Sequence, residues 1–164
     1  MKLFRNLAVM SVAALLMQGC VKNDVYEKNV DIPHFAWDYN FKPAYRIEIS
    51  DTQAVYNVYV TLRRNLSYRF SNIWLKVSST RPDNTEDAPR LIEIPLEEPG
   101  GKPLGRGVGD VYEHRMIVRS NALFPQKGFY EFRLEQNMRE NPLTGMMSVG
   151  IRIEKAGHKG GVQP

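Results

Sequence analysis

From residue 34 onward the chain alternates apolar and polar side chains with a period of two. Tyr45, Ile47 and Ile49 alternate with Arg46, Glu48 and Ser50, and Tyr56, Val58, Val60 and Leu62 alternate with Asn57, Tyr59, Thr61 and Arg63. This period puts apolar groups on one face of a strand and polar groups on the other. The pattern recurs in Phe35–Trp37–Tyr39–Phe41, Ile73–Leu75–Val77, Ile92–Ile94–Leu96, Met116–Val118, Tyr130–Phe132–Leu134 and Val149–Ile151–Ile153. Polar or Gly/Pro breaks separate most of the runs, as in Arg81–Asp87, Glu98–Pro103 and Pro125–Gly128. Pro95 places its run at a sheet edge or a bulge. No stretch is long enough for a crossover helix, although Glu135–Glu140 has room for one helical turn. The expected fold is all-β: an antiparallel β-sandwich of about eight strands, immunoglobulin-like or jelly-roll-like.

The N-terminus follows a different rule. Lys2 and Arg5 are cationic, Leu7–Leu16 is mostly apolar, and Met17-Gln18-Gly19 leads into Cys20, the chain's single cysteine. A cationic start, a short apolar run and a small residue before the cut make a secretory signal. The apolar run is about half of the roughly 20 residues that span a bilayer. A cysteine directly after the small residue is the pattern of a bacterial lipoprotein, so Cys20 is the expected acylation site. The competing readings are a buried N-terminal helix and a free catalytic thiol. One cysteine makes no intrachain disulfide, so the domain must stand on its apolar core.

The domain plan is therefore 1–19 signal peptide, 20–33 lipidated tether, 34–155 sandwich and 156–164 Gly-rich disordered tail. Lys22, Asn23 and Asp24 serve either as solvated linker or as a sorting signal. The formal charge of +4 includes Lys2 and Arg5, so the part after the leader carries about +2. Acidic and basic residues are interspersed, and no basic run points to nucleic acid.

Sites for chemistry are sparse. His34, His114 and His158 are far apart, with no zinc-ligand spacing, and there is no G-x-S-x-G nucleophile motif. Glycines at 105, 107 and 109 miss the dinucleotide fingerprint and suit a loop or bulge. Asp83, Glu86 and Asp87 lack the spacing of a calcium loop, which favours a solvated turn. The expectation is a non-enzyme with no catalytic residue, no metal and no cofactor. Alternation sends Tyr56 inward and Tyr59 and Trp74 outward. Those two are the candidate contact residues for a protein partner or, alternatively, for an envelope glycan or peptidoglycan.

A longer pattern carries a resemblance. It comprises Asp51-Thr52, Tyr56 through Arg63, Tyr68, Phe70 through Leu75, Leu104-Gly105 and Gly109-Asp110. It continues through Phe124-Pro125, Gly128-Phe129-Tyr130, Gln136 through Arg139 and Val149 through Lys155. In order and spacing this resembles the gliding-motility lipoproteins of the GldH type from Bacteroidetes. The resemblance implies a lipid-anchored protein associated with the outer membrane, with its anchor in the membrane. It implies envelope protein partners in gliding motility and the linked type IX secretion machinery. It supplies no catalytic residue, and Cys20 alone matches a position with known chemistry.

Overall fold

The computed structural model describes residues 25–158. Cys20 and the expected signal peptide, residues 1–19, lie outside the described residues. Eleven strands and one 3-10 turn, Pro33–Phe35, make up the regular structure, with no α-helix among the described residues. The strands are β1 (Val25–Asp31), β2 (Ala36–Trp37), β3 (Ala44–Ile49), β4 (Ala54–Asn65), β5 (Asn72–Thr80) and β6 (Arg90–Pro95). They continue as β7 (Arg106–Val108), β8 (Val111–Ala122), β9 (Gly128–Gln136), β10 (Leu143–Thr144) and β11 (Met146–His158). A five-stranded sheet runs β1-β11-β4-β8-β7 and a four-stranded sheet runs β3-β9-β5-β6, while β10 and β2 form a small ribbon. Every pairing is antiparallel.

The alternation becomes a core between the two large sheets. Val58, Val60 and Leu62 of β4 sit opposite Ile153, Ile151 and Val149 of β11, and all six are buried. Tyr45, Ile47 and Ile49 face them from β3, and Ile73, Leu75, Phe132 and Leu134 from β5 and β9. The Tyr45 hydroxyl donates to the Val149 carbonyl at 2.7 Å, a buried hydrogen bond that joins one sheet to the other. Phe124 fills the space beyond, edge-on to Tyr56 at 5.4 Å and to Tyr130 at 4.8 Å.

Four sequence expectations need correction. Residues 25–31, expected within the 20–33 tether, form β1, paired along its length with β11. Tyr26 and Val30 pack on the core, and Lys28 between them is tolerated because β1 is a sheet edge. An inward-pointing charge is one way to blunt such an edge. The Phe35–Phe41 run is not one strand. His34 and Phe35 adopt φ of 54°, and the Phe41 amide bonds back to the Asp38 carbonyl at 3.0 Å, so only Ala36–Trp37 pair. No helical turn follows Glu135. Gln136 instead ties that loop down, accepting from the Met138 amide and donating to the Trp37 and Glu140 carbonyls. Strand β11 also runs on to His158, into the expected tail.

Candidate functional site

The two aromatic candidates occupy opposite outer faces of the sandwich. Tyr59 lies on the outer parity of β4, in a row with Arg152 and Ile117. Its phenol bonds to the Glu154 carboxylate, and this bond is the main reason its pKa is raised. The same bond, with help from Arg152, holds the Glu154 carboxyl below the usual range. Arg152 also reaches Glu27, which Arg115 approaches at 3.7 Å. Tyr59 therefore belongs to a lattice of ion pairs and is not a bare aromatic platform.

Trp74 lies on the outer parity of β5. Its backbone amide points at the Met138 sulfur at 3.2 Å. Its indole borders a shallow depression of about 380 Å³ with Phe70, Leu91, Asn137, Met138 and Arg139. Since β4 and β5 belong to different sheets, one small ligand cannot touch both candidates. The joint Tyr59–Trp74 glycan patch is not formed.

A second feature was overlooked in the sequence. Arg64 and His114 are each 3% exposed, facing inward near the end of the sandwich. Arg64 Nε donates to His114 Nε2 at 3.3 Å, and its Nη2 meets Glu97 Oε1 at 2.9 Å. The guanidinium also stacks over Tyr112 at 5.0 Å. Burial, reinforced by the Arg64 charge, pushes the His114 pKa down to about 4. The ring is thus neutral at physiological pH, with Nε2 as acceptor and Nδ1 protonated. Nδ1 has no partner among the described residues. Gly105 lies so close to the ring that any Cβ there would meet the imidazole and the Glu113 carbonyl. Its missing side chain is a packing need, and the glycine run forms the short edge strand β7 with a turn at Gly109, φ 58°. Parity could have exposed the cluster. Arg64 falls in step with Leu62, and His114 with Met116.

The acidic loop is spoken for. Asp83 accepts from the Thr85 amide and from Gln126, whose bond is the main cause of an Asp83 pKa lowered to about 2. Asp87 accepts from Ser79 and Arg81. Among the described residues no group of three or more His, Cys, Asp or Glu side chains converges as a metal site would require.

A further feature is a slot of about 310 Å³ between the sheets, on the flank bounded by β6 and β8. Its walls are Val77, Ile92 and Val118, all half-buried, with Phe132 deeper. Arg81, Arg90 and Arg119 stand at its rim with Asp87. Among the described residues β6 pairs only with β5, and β8 meets β7 only from Val111 to Glu113. The flank is therefore open along most of its length.

Comparison with known proteins gives a consistent answer. Residues 24–153 match the family described as GldH lipoprotein. The gliding motility lipoprotein GldH homolog of Christiangramia forsetii is 30% identical over 149 residues, covering 87% of this chain and 90% of the relative. The gliding motility lipoprotein GldH of Flavobacterium johnsoniae is 28% identical over 158 residues, covering 92% and 97%. Among solved structures, a carbohydrate-binding module specific for non-crystalline cellulose aligns with a TM-score of 0.39 at 10% identity, over 80% of this chain and 71% of that one. A likeness of that size supports no argument about function.

Proposed function

This chain belongs to the GldH lipoprotein family, and on that footing we propose that it serves gliding motility as a lipid-anchored, non-catalytic accessory subunit of an envelope machine. The observation that carries the reading is the extent of the match. It spans residues 24–153, nearly the whole described sandwich, so the kinship attaches to the folded body. The outer membrane is the proposed site of the anchor, and type IX secretion the proposed linked process.

The mechanism is tethering. Cys20, acylated, would carry several chains, and several chains hold a protein where one gives only reversible binding. Because β1 begins at Val25, only residues 21–24 separate the lipidated residue from the sandwich. That span reaches at most about 18 Å when fully extended. The body is thus held close to the headgroups, which raises its effective concentration for partners in the same membrane. The absence of catalysis is part of the proposal. What supports it is that His114, a buried group with a strongly lowered pKa, is neutral and bonded to Arg64.

Deletion of the gene in its native strain tests this reading. Colony spreading and secreted cargo are expected to fall, to be restored by the wild-type gene and not by Cys20→Ala. An alkyne fatty acid fed to the cells should label the wild-type protein and not the variant. Normal spreading and secretion in the deletion strain would overturn the reading.

A further inference from the structure

We infer that the free edge of β6 seats an extended segment of a partner protein, apolar along one face and acidic at its ends, which adds a fifth strand to the four-stranded sheet. The inference rests on the proposal that this domain acts by holding a protein, and it says where and what kind.

Strand addition needs a sheet edge with unpaired backbone groups, and pockets that take alternate side chains. Among the described residues the two large sheets end in four edges, at β1, at β8 with the short β7, at β3 and at β6, and they are not equal. Strand β1 carries the inward Lys28, a device that discourages pairing. The free part of β8 is broken by two register shifts opposite Tyr56–Tyr59 and by Asn121 at φ 51°. Strand β3 is regular, but its inward residues are all fully buried, and Arg46 on its outer side is stacked on Phe129 at 4.2 Å. The inner side of β3 therefore has no opening, and the depression of about 510 Å³ on its outer side is a polar one, with Arg46, Arg81, Asn84 and Glu131 among its walls.

Strand β6 differs on both faces. Its inner residue Ile92 opens on the 310 Å³ slot, and a cavity of roughly half that volume is enough to hold a benzene ring. Its outer residue Leu91 is 54% exposed and borders the Trp74 depression. A strand laid along Leu91–Ile94 would send alternate side chains into the slot and over Leu91. Charge selects the occupant further. The slot rim carries Arg81, Arg90 and Arg119 against Asp87 alone, and Asp87 is already paired with Arg81. The shift in β8 brings Arg119 opposite the inward Val58 and so toward the slot. Acidic residues at the ends of the incoming segment would meet Arg90 and Arg119.

The test is site-specific photo-crosslinking in living cells of the native strain. A benzoylphenylalanine replaces Leu91 in one protein and Glu48, on the β3 edge, in another. The expected result is a protein adduct from position 91 and none from 48. Sequencing should place it in a segment of alternating apolar residues with flanking Asp or Glu. Adding Arg90→Glu and Arg119→Glu, both exposed and so expected to fold, should cut the adduct about tenfold or more. An absent adduct, equal adducts from both edges, insensitivity to the charge reversal, or an adduct of lipid mass would each overturn the inference. Spreading separates the two levels. If the deletion strain is impaired and the charge-reversed gene restores it fully, the edge assignment falls while the tethering proposal stands.

Discussion

The two flanks of the sandwich are built from the same kind of strand and yet end differently. On the β1/β3 flank the inward side chains of β3 are at most 2% exposed, and the Tyr45 hydroxyl bridges to the facing sheet. On the β6/β8 flank Ile92, Val118 and Met116 are only half-buried, and the sheets part around a slot. The contrast separates two uses of apolar surface. One flank spends it on its own stability, and the other leaves it partly uncovered at an edge whose backbone has no partner strand among the described residues.

Truncation should show this difference most strongly. Ile151→Ala, beside the closed flank, is expected to cost about 3 kcal/mol, the middle of the range for such a core deletion. Ile92→Ala on the open flank should cost under about 1.5 kcal/mol, since its side chain is only half removed from water. Urea unfolding of both variants checks the pair, and equal losses would erase the distinction between flanks.

His114 on β8 is buried against Gly105, and it gives the next largest effect. Its folded pKa of about 4 lies below the ordinary value of 6.5. The unfolded chain therefore binds the proton first, and stability is lost as pH falls through that window. The loss attributable to this group between pH 7 and pH 5 is about 2 kcal/mol. Unfolding midpoints measured at both pH values should show that slope in the wild type and a flatter one in His114→Gln.

Smaller changes sharpen the contrast. Tyr45→Phe removes the bridging hydroxyl and leaves the Val149 carbonyl unpaired by it, for a loss of about 1 kcal/mol in thermal or urea unfolding. Val118→Ile adds a methylene where there is room and should change stability by less than about 0.5 kcal/mol. Val60→Ile adds the same group to a filled core and should destabilise by about 1 kcal/mol or more.

Much of the fold was legible because period two is a local property. The parity of Tyr45, Tyr56, Ile73, Tyr130 and Ile151 is the parity of the core, and all five are buried. Strand β1 was hidden because an edge strand needs few apolar residues, and Tyr26 and Val30 around Lys28 resemble a solvated linker. The short β7 and β10 are likewise held by neighbours more than by pattern. The candidate site was less legible for a different reason. Alternation tells that Tyr59 and Trp74 both turn outward, but sheet membership is set by non-local pairing. Two outward residues can therefore end on opposite sides. The open flank is likewise a property of which strands lie at the edges, and no local run of residues encodes it.

The asymmetry between the flanks can be read directly by amide hydrogen exchange on the lipidated protein, alone and in native envelope vesicles. Protection in vesicles is expected to rise at Leu91–Ile94 and to stay unchanged along β1 and β3. Equal protection of Leu91–Ile94 in the two preparations, or a gain confined to the β1/β3 flank, would contradict it.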